Sequence, residues 1–399
     1  MKGKLPEGWE EKRLGEVCDF QNGFAFKSAT YKPSGLPIIR ITNIQNDEIE
    51  TGKLVFFDPK DYTEDFSRYQ VNKGDLVIAM SGATTGKLGE NNTNTVFYLN
   101  QRVGMFLPHK NLSRSYLYYF LSTRVEENLI ISAGAALPNL STEQINNFII
   151  PLPTLPEQKR IVAILDEVFA AIGKARENAE MNFENAREIF ESYLARFFSN
   201  PGDDWKEQTL EGISKNFGRG KSKHRPRNDK KLYGGNYPFI QTGDIRSSKH
   251  YIREYSQTYN DLGLAQSKLW PKGTICITIA ANIAETGVLD FDSCFPDSVI
   301  GIVVDELKAD KGFIEYLLQH FKKEIQAKGK GSAQANINLA TFENQLFPFP
   351  SLPEQRRIVS QLDTLSAQTA KLEAVYRKKL TDLDELKKSI LEKAFRGEL

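Results

Sequence analysis

The sequence is poor in the residues that do chemistry. Its three cysteines, Cys18, Cys276 and Cys294, lie far apart without a CxxC spacing. They cannot form a disulfide framework or a cysteine zinc site, and they read as reduced thiols of a cytoplasmic protein. The four histidines, at 109, 224, 250 and 320, are scattered. No run reaches the roughly 18 apolar residues of a membrane span. The opening "MKGKLPEGWEEKRL" lacks the apolar stretch of a secretion signal. HExxH and a strand-following GxGxxG are missing, as is the Asn/Asp-Pro-Pro-Tyr/Phe string of amino-methyltransferases. "SGATTGKLG" resembles a phosphate loop only superficially. Three residues separate Gly82 from Gly86, and Leu88 stands where a magnesium-binding hydroxyl is required. The composition points to a binder rather than an enzyme.

Overall charge is also nearly absent, at +1, but it is unevenly spread. From Lys215 to Arg253 eleven Lys/Arg face only Asp229 and Asp244, a local net of +9. A solvated loop accounts for such a run in many proteins; an anionic partner accounts for it as well.

What the sequence does have is a repeat. "PLPTLPEQKRIV" begins at Pro151 and "PFPSLPEQRRIV" at Pro348, 197 positions apart. Each string opens a segment free of internal proline, with Pro then Glu at its start, as suits the first turn of a helix. The first segment stops at Pro201 and Gly202. Apolar residues recur in steps of three and four. The first series is Ile161, Leu165, Val168, Ile172, Ala175, Ala179, Ala186, Ile189 and Tyr193. The second is Ile358, Leu362, Leu365, Leu372, Tyr376, Leu383, Leu386 and Ile390. The two registers coincide at the 197 offset, with Asn182 and Lys379 at the same layer. Sustained heptads predict a coiled-coil seam, with polar residues fixing its register. Two amphipathic helices, each packed on its own globular part, are the alternative. About 43 residues of helix span about 64 Å at 1.5 Å per residue.

The segments ahead of the helices match more loosely. "LPIIRITNI" aligns with "YPFIQTGDI", and "NLSTEQINNFIIPLP" with "NINLATFENQLFPFP". Both contain short β-branched and aromatic runs bounded by turn residues, which predicts β-rich globular parts, each with one short helix. The expected class is α+β: two β-rich domains joined by two long antiparallel helices, an internal repeat about a pseudo-two-fold axis. The expected boundaries are 1–155 and 200–352 for the domains, 156–199 and 353–399 for the helices.

Two heads on a ruler suit DNA, whose half-sites recur at fixed spacing. Phosphate and base-edge contacts call for guanidinium, ammonium, amide and hydroxyl groups on loops. In the first domain these are Lys27; Arg40, Thr42 and Asn43; Ser81, Thr84, Thr85 and Lys87; and Asn100, Gln101 and Arg102. In the second they are Arg219, Lys221, Lys223, His224, Arg225 and Arg227; Gln241, Thr242, Asp244 and Arg246; and Asn282. The framework is shared while these loops differ, as expected if each head reads a different sequence. A scaffold whose β-domains bind peptides is the competing class. A nuclease fused to recognition domains is a third, but no spare segment remains to hold it.

The repeated LPEQ(K/R)RIV helix start, the "KLPEGW" opening and the "TNI"/"GDI" strand ends resemble the specificity subunit of type I restriction–modification systems, over the whole chain. That resemblance implies two target recognition domains, each reading half of a split, asymmetric DNA site. It implies helices that act as spacers and dock two methyltransferase subunits. Adenine methylation, with the base flipped out of the duplex, would use S-adenosylmethionine in that partner. A motor–nuclease subunit would use ATP and Mg²⁺. No catalytic residue, metal or cofactor is implied for this chain.

Overall fold

A computed structural model describes residues 5–45, 47–132, 139–224, 226, 228–248, 250–280, 283–330 and 339–399. The chain packs as two compact units, residues 1–179 with 378–399, and residues 180–377. Two helices dominate, Leu155–Phe198 and Leu352–Arg396. Each has one end in each unit. Among the described residues no helix is long and apolar enough to cross a membrane.

In the first unit Glu10–Arg13 pairs antiparallel with Ile149–Leu152. Six strands run in the order Cys18–Asn22, Val103–Pro108, Leu76–Ala79, Leu88–Glu90, Asp47–Ile49, Ile44–Gln45. A second sheet runs Val55–Phe57, Leu36–Ile39, Phe97–Leu99, Gln70–Val71. The second unit repeats the plan. Lys206–Thr209 pairs with Leu346–Phe349. Its five-stranded sheet runs Ser214–Arg219, Val299–Val304, Ile275–Thr278, Thr286–Leu289, Tyr251–Ile252. Its four-stranded sheet runs Gln257–Tyr259, Tyr233–Phe239, Ser293–Cys294, Leu269–Trp270. Even the minority parallel pairing recurs, between Leu36–Ile39 and Phe97–Leu99 and between Tyr233–Phe239 and Ser293–Cys294. The central strands "LVIA" and "ICIT" are buried on both faces, which is why they read as unbroken apolar runs rather than alternating ones.

The repeated string is a structural joint. Gln158 and Gln355 are buried. Gln158 Nε2 donates to the carbonyls of Asn111 and Pro153, and its Oε1 accepts the Ser113 N–H. Gln355 does the same with the Pro350 carbonyl and the Asp310 N–H. Arg160 forks onto Glu157 and Arg357 onto Glu354, one turn along the helix. A turn and a half further on, Tyr119 donates to Asp166 at 2.5 Å and Tyr316 to Asp363 at 2.7 Å. The string thus ties each long helix to its own globular part through backbone groups at the joint. Gln355→Ala strands a carbonyl and an N–H there, so it should cost about 2–4 kcal/mol. Denaturant titration of the purified chain measures this; a loss under about 0.5 kcal/mol would show that water replaces the amide.

Each unit's core uses the start of one long helix and the end of the other. In the first unit Ile161 and Leu165 pack in one cluster with Leu391, Ala394 and Phe395, around Tyr116, Leu117 and Phe120 of helix Arg114–Ser132. In the second, Ile358 and Leu362 join Leu194 and Phe198 around Phe313, Ile314 and Leu317 of helix Lys311–Lys330. Within the first unit Phe169 meets Lys387 and Arg176 meets Asp384, so the two helical stretches run antiparallel.

The seam differs from a sustained heptad. Ile161, Leu165, Ile358 and Leu362 are buried, and Val168, Ile172, Leu365, Leu383 and Ile390 are half-buried. Ile189, Leu372 and Leu386 are exposed, at 51%, 41% and 46%. A straight helix drifts about 20° per heptad. Ile189 lies four heptads after Ile161, and Leu386 lies four heptads after Ile358, so each has turned about 80° off the packed face. The residues that return to it in the first helix, Phe190, Leu194 and Phe198, follow the 3.6 period instead. Ala179, Ala186 and Thr369 fill the middle of the helices as small buried residues.

Candidate nucleic-acid interface

The polar loops are placed by one device used twice. Strand Leu36–Ile39 is followed by Arg40, and its counterpart Tyr233–Phe239 by Ile240 and Gln241. In each unit a short helical turn comes next. The Arg40 N–H donates to Asn43 Oδ1 at 3.1 Å, and the Gln241 N–H to Asp244 Oδ2 at 2.7 Å. Asn43 and Asp244 therefore close a capping turn. Asn43 is 2% exposed, and its amide also donates to the carbonyls of Glu50 and Lys53. Ser256 adds a further bond to Asp244. Residue type alone makes both of them candidate base readers; the structure instead commits their side chains to holding the backbone.

In the first unit the structure brings Arg40, Thr42 and Asn43 together with Thr84 and Lys87. Thr84 Oγ1 donates to the Ile41 carbonyl at 3.2 Å, and Lys87 Nζ to Gln45 Oε1 at 2.6 Å. Gly82, at φ +82°, allows the approach: a Cβ there would lie 3.2 Å from Ile41 Cδ1. Arg40, Thr42, Asn43, Gln45, Glu50 and Lys53 line a concavity of about 600 Å³. Arg40 Nη2 donates to the Lys53 carbonyl on its wall. Two further expectations are corrected. Thr85 is 1% exposed and donates to the Gly82 carbonyl, and Asn100 is 9% exposed against Tyr31. Both are packing residues, because the loop returns them to the sheet. Ser81 is half-buried and bridges Asn139. Lys27, Gln101 and Arg102 are exposed, and none of them lines the concavity.

In the second unit a concavity of about 580 Å³ brings Lys230 of the basic segment beside the "QTGD" turn. Ser222, Asn228 and Lys230 line it with Gln241, Thr242 and Gln257, over a floor of Tyr233, Phe239 and Tyr259. Phe239 and Tyr259 stack at 4.0 Å. Lys221, Lys223 and Arg219 are exposed, Arg219 donating to the Asp297 carbonyl. Asp244 and His224 are half-buried, and Arg246 is exposed on the turn's short helix. His224 Nε2 sits 3.0 Å from Asp229 Oδ2. The Lys231 N–H first, and the His224 ring second, hold Asp229 below the usual carboxylate range. Arg225, Arg227 and Asn282 lie outside the described residues. Gln45, Lys53 and Gln257 join the site without being singled out by the sequence, since single polar residues at strand ends carry no signal of their own.

The three cysteines are buried and unpaired, and burial pushes the Cys18 thiol up to about 12. Among the described residues no cluster of His, Cys, Asp and Glu is placed to hold a metal ion. What is arranged is two differently lined polar concavities on one repeated frame. Residues 6–182 and 202–382 match the type I restriction modification DNA specificity domain. The chain belongs to this family. As a type I specificity subunit it selects DNA sequence, while catalysis resides in separate subunits. The specificity subunit of the type I restriction enzyme StySPI of Salmonella potsdam is 25% identical over 431 residues, covering 100% of this chain and 90% of that one. A chain of a solved type I R-M system superposes with a TM-score of 0.81 at 21% identity, covering 100% of both chains. The HsdS subunit from Thermoanaerobacter tengcongensis superposes at 0.60 and 21% identity, covering 100% of this chain and 99% of that one. These two likenesses establish a shared fold.

Proposed function

We propose that each unit of this specificity subunit reads one half of a bipartite, asymmetric DNA site. Residues 1–155 and 200–352 are taken as the recognition domains, and 156–199 and 353–399 as the spacer that sets the distance between half-sites. One observation supports this most: the two units share strand order and turn geometry, yet Arg40 stands in one where Gln241 stands in the other. Arginine suits guanine and glutamine suits adenine in the major groove. A peptide-binding scaffold is not favoured, since nothing in that role calls for a +9 segment beside an amide-lined concavity.

The partners in this reading are double-stranded DNA, two methyltransferase subunits on the helices, and restriction subunits. S-adenosylmethionine would sit in the methyltransferase; ATP and Mg²⁺ would sit in the restriction subunit. The cytoplasm is the matching compartment.

Phosphate contacts should come largely from Lys221, Lys223, Lys230 and Lys231. Replacing all four with alanine should weaken binding by the complex for every sequence alike. The slope of log K against log salt should shrink by about 0.9 for every phosphate that these lysines neutralise in the wild type. Titration at several salt concentrations measures this. An unchanged slope would remove the basic segment from the interface.

A further inference from the structure

We infer that Gln241 is the residue of the second unit that reads an adenine, and that Gln257 positions it. The inference rests on the proposed reading of that unit as a DNA recogniser. Gln241 is exposed on the wall of the concavity. A surface glutamine ordinarily turns freely, so its amide makes a poor probe. Gln241 is held at both ends. Its backbone N–H is fixed by Asp244 at 2.7 Å, and the Ile240 N–H before it donates to the Cys294 carbonyl at 3.0 Å. Its side-chain Nε2 donates to Gln257 Oε1 at 2.9 Å. Gln257 belongs to the strand paired with Tyr233–Phe239, opposite Phe239 in the register.

That bond decides which way the Gln241 amide faces. It consumes one N–H, leaving Oε1 and the second N–H for a ligand. Acceptor and donor side by side complement the N6 amino group and N7 of adenine, and no other base presents that pair in the major groove. Guanine offers two acceptors there, so it would meet Oε1 with repulsion. Lys230 and Asn228 on the rim of the same concavity are placed for the flanking backbone. The alternative is a staple: the two amides merely pin strand Gln257–Tyr259 to the turn.

The test uses the full chain assembled with its methyltransferase subunits. Methylation motifs are mapped for wild type, Gln241→Ala, Gln257→Ala and Gln257→Glu. Gln241→Ala should relax one A·T position in one half-site and leave the other half-site intact. Gln257→Ala should relax the same position. Gln257→Glu keeps the accepting oxygen and should retain the preference while weakening binding overall. Replacing that adenine by 7-deazaadenine removes N7; it should weaken wild-type binding by about tenfold or more and leave Gln241→Ala little changed. A staple would lower thermal stability and affinity for all sequences equally. An unaltered motif in Gln241→Ala, or relaxation at a G·C position, overturns the inference. Its failure is separable from failure of the recognition role, because deleting the whole chain would still abolish the motif.

Discussion

Phe395→Ala should destabilise the first unit by about 3–5 kcal/mol, the cost of emptying a large buried aromatic site. Phe395 is 1% exposed. Its ring meets Tyr116 edge-on at 5.1 Å and Phe120 at 5.7 Å. Leu391 and Ala394 stand beside it in the same cluster with Ile161 and Leu165. The end of the second long helix is thus part of the first unit's core. Its counterpart 197 positions earlier, Phe198, packs on Phe313 at 5.4 Å and against His320 at 5.6 Å. Phe198→Ala should cost the second unit a similar amount. Thermal unfolding followed by near-ultraviolet dichroism measures both. Losses below about 1 kcal/mol would mean the helix ends lie on the cores without completing them.

Glu315→Ala should cost about 3–5 kcal/mol, as removal of one partner of a buried pair does. Glu315 is fully buried in the second unit. Its carboxylate accepts from His250 Nδ1 at 2.5 Å, Thr286 Oγ1 at 2.9 Å and Gln319 Nε2 at 2.6 Å. Tyr316 stacks on the imidazole at 4.8 Å. Burial by itself depresses the His250 pKa. The hydrogen bond and charge of Glu315, with Asp363 beyond, outweigh both burial and Arg253, so it stands above its ordinary 6.5. A raised folded pKa means the protonated ring stabilises the fold fully below about 6.5, and that contribution fades as pH rises through the folded value. Wild-type stability should therefore decline above about pH 6.5, and Glu315→Gln should flatten the decline. Burial lowers the His320 pKa, which adds the same rise towards about pH 6.5 to both proteins, so identical profiles for wild type and Glu315→Gln would show that His250 is neutral in the fold.

Much of this architecture is legible in the sequence because the chain writes it twice. The string at Pro151 and Pro348 marks two helix starts, and its Gln and Arg take the same roles in both copies. The sheets follow from short apolar runs between turn residues. What resists reading is the drift of a straight helix away from a heptad, which exposes Ile189 and Leu386 and hands the core to Leu194, Phe198, Leu391 and Phe395. In the candidate site, the "RITN" and "QTGD" loops are recognisable as equivalent. Only the folded structure shows that Asn43 and Asp244 commit their side chains to holding the turns, Asn43 from the wall of its concavity, while Arg40 and Gln241 border the concavities as well. Spacing along a loop does not encode that division. Nor does it reveal the His250–Glu315 pair, whose helix position is occupied by Tyr118 in the first copy.

The central claim, that two units of one fold read two halves of one DNA site, is tested most directly by mapping adenine methylation across a genome. The map is made with this gene and its methyltransferase partner present, and again with this gene deleted. The expected result is the loss of one split, non-palindromic motif and no other change. A methylome that stays the same, while the methyltransferase is present and able to bind this chain, would contradict the account.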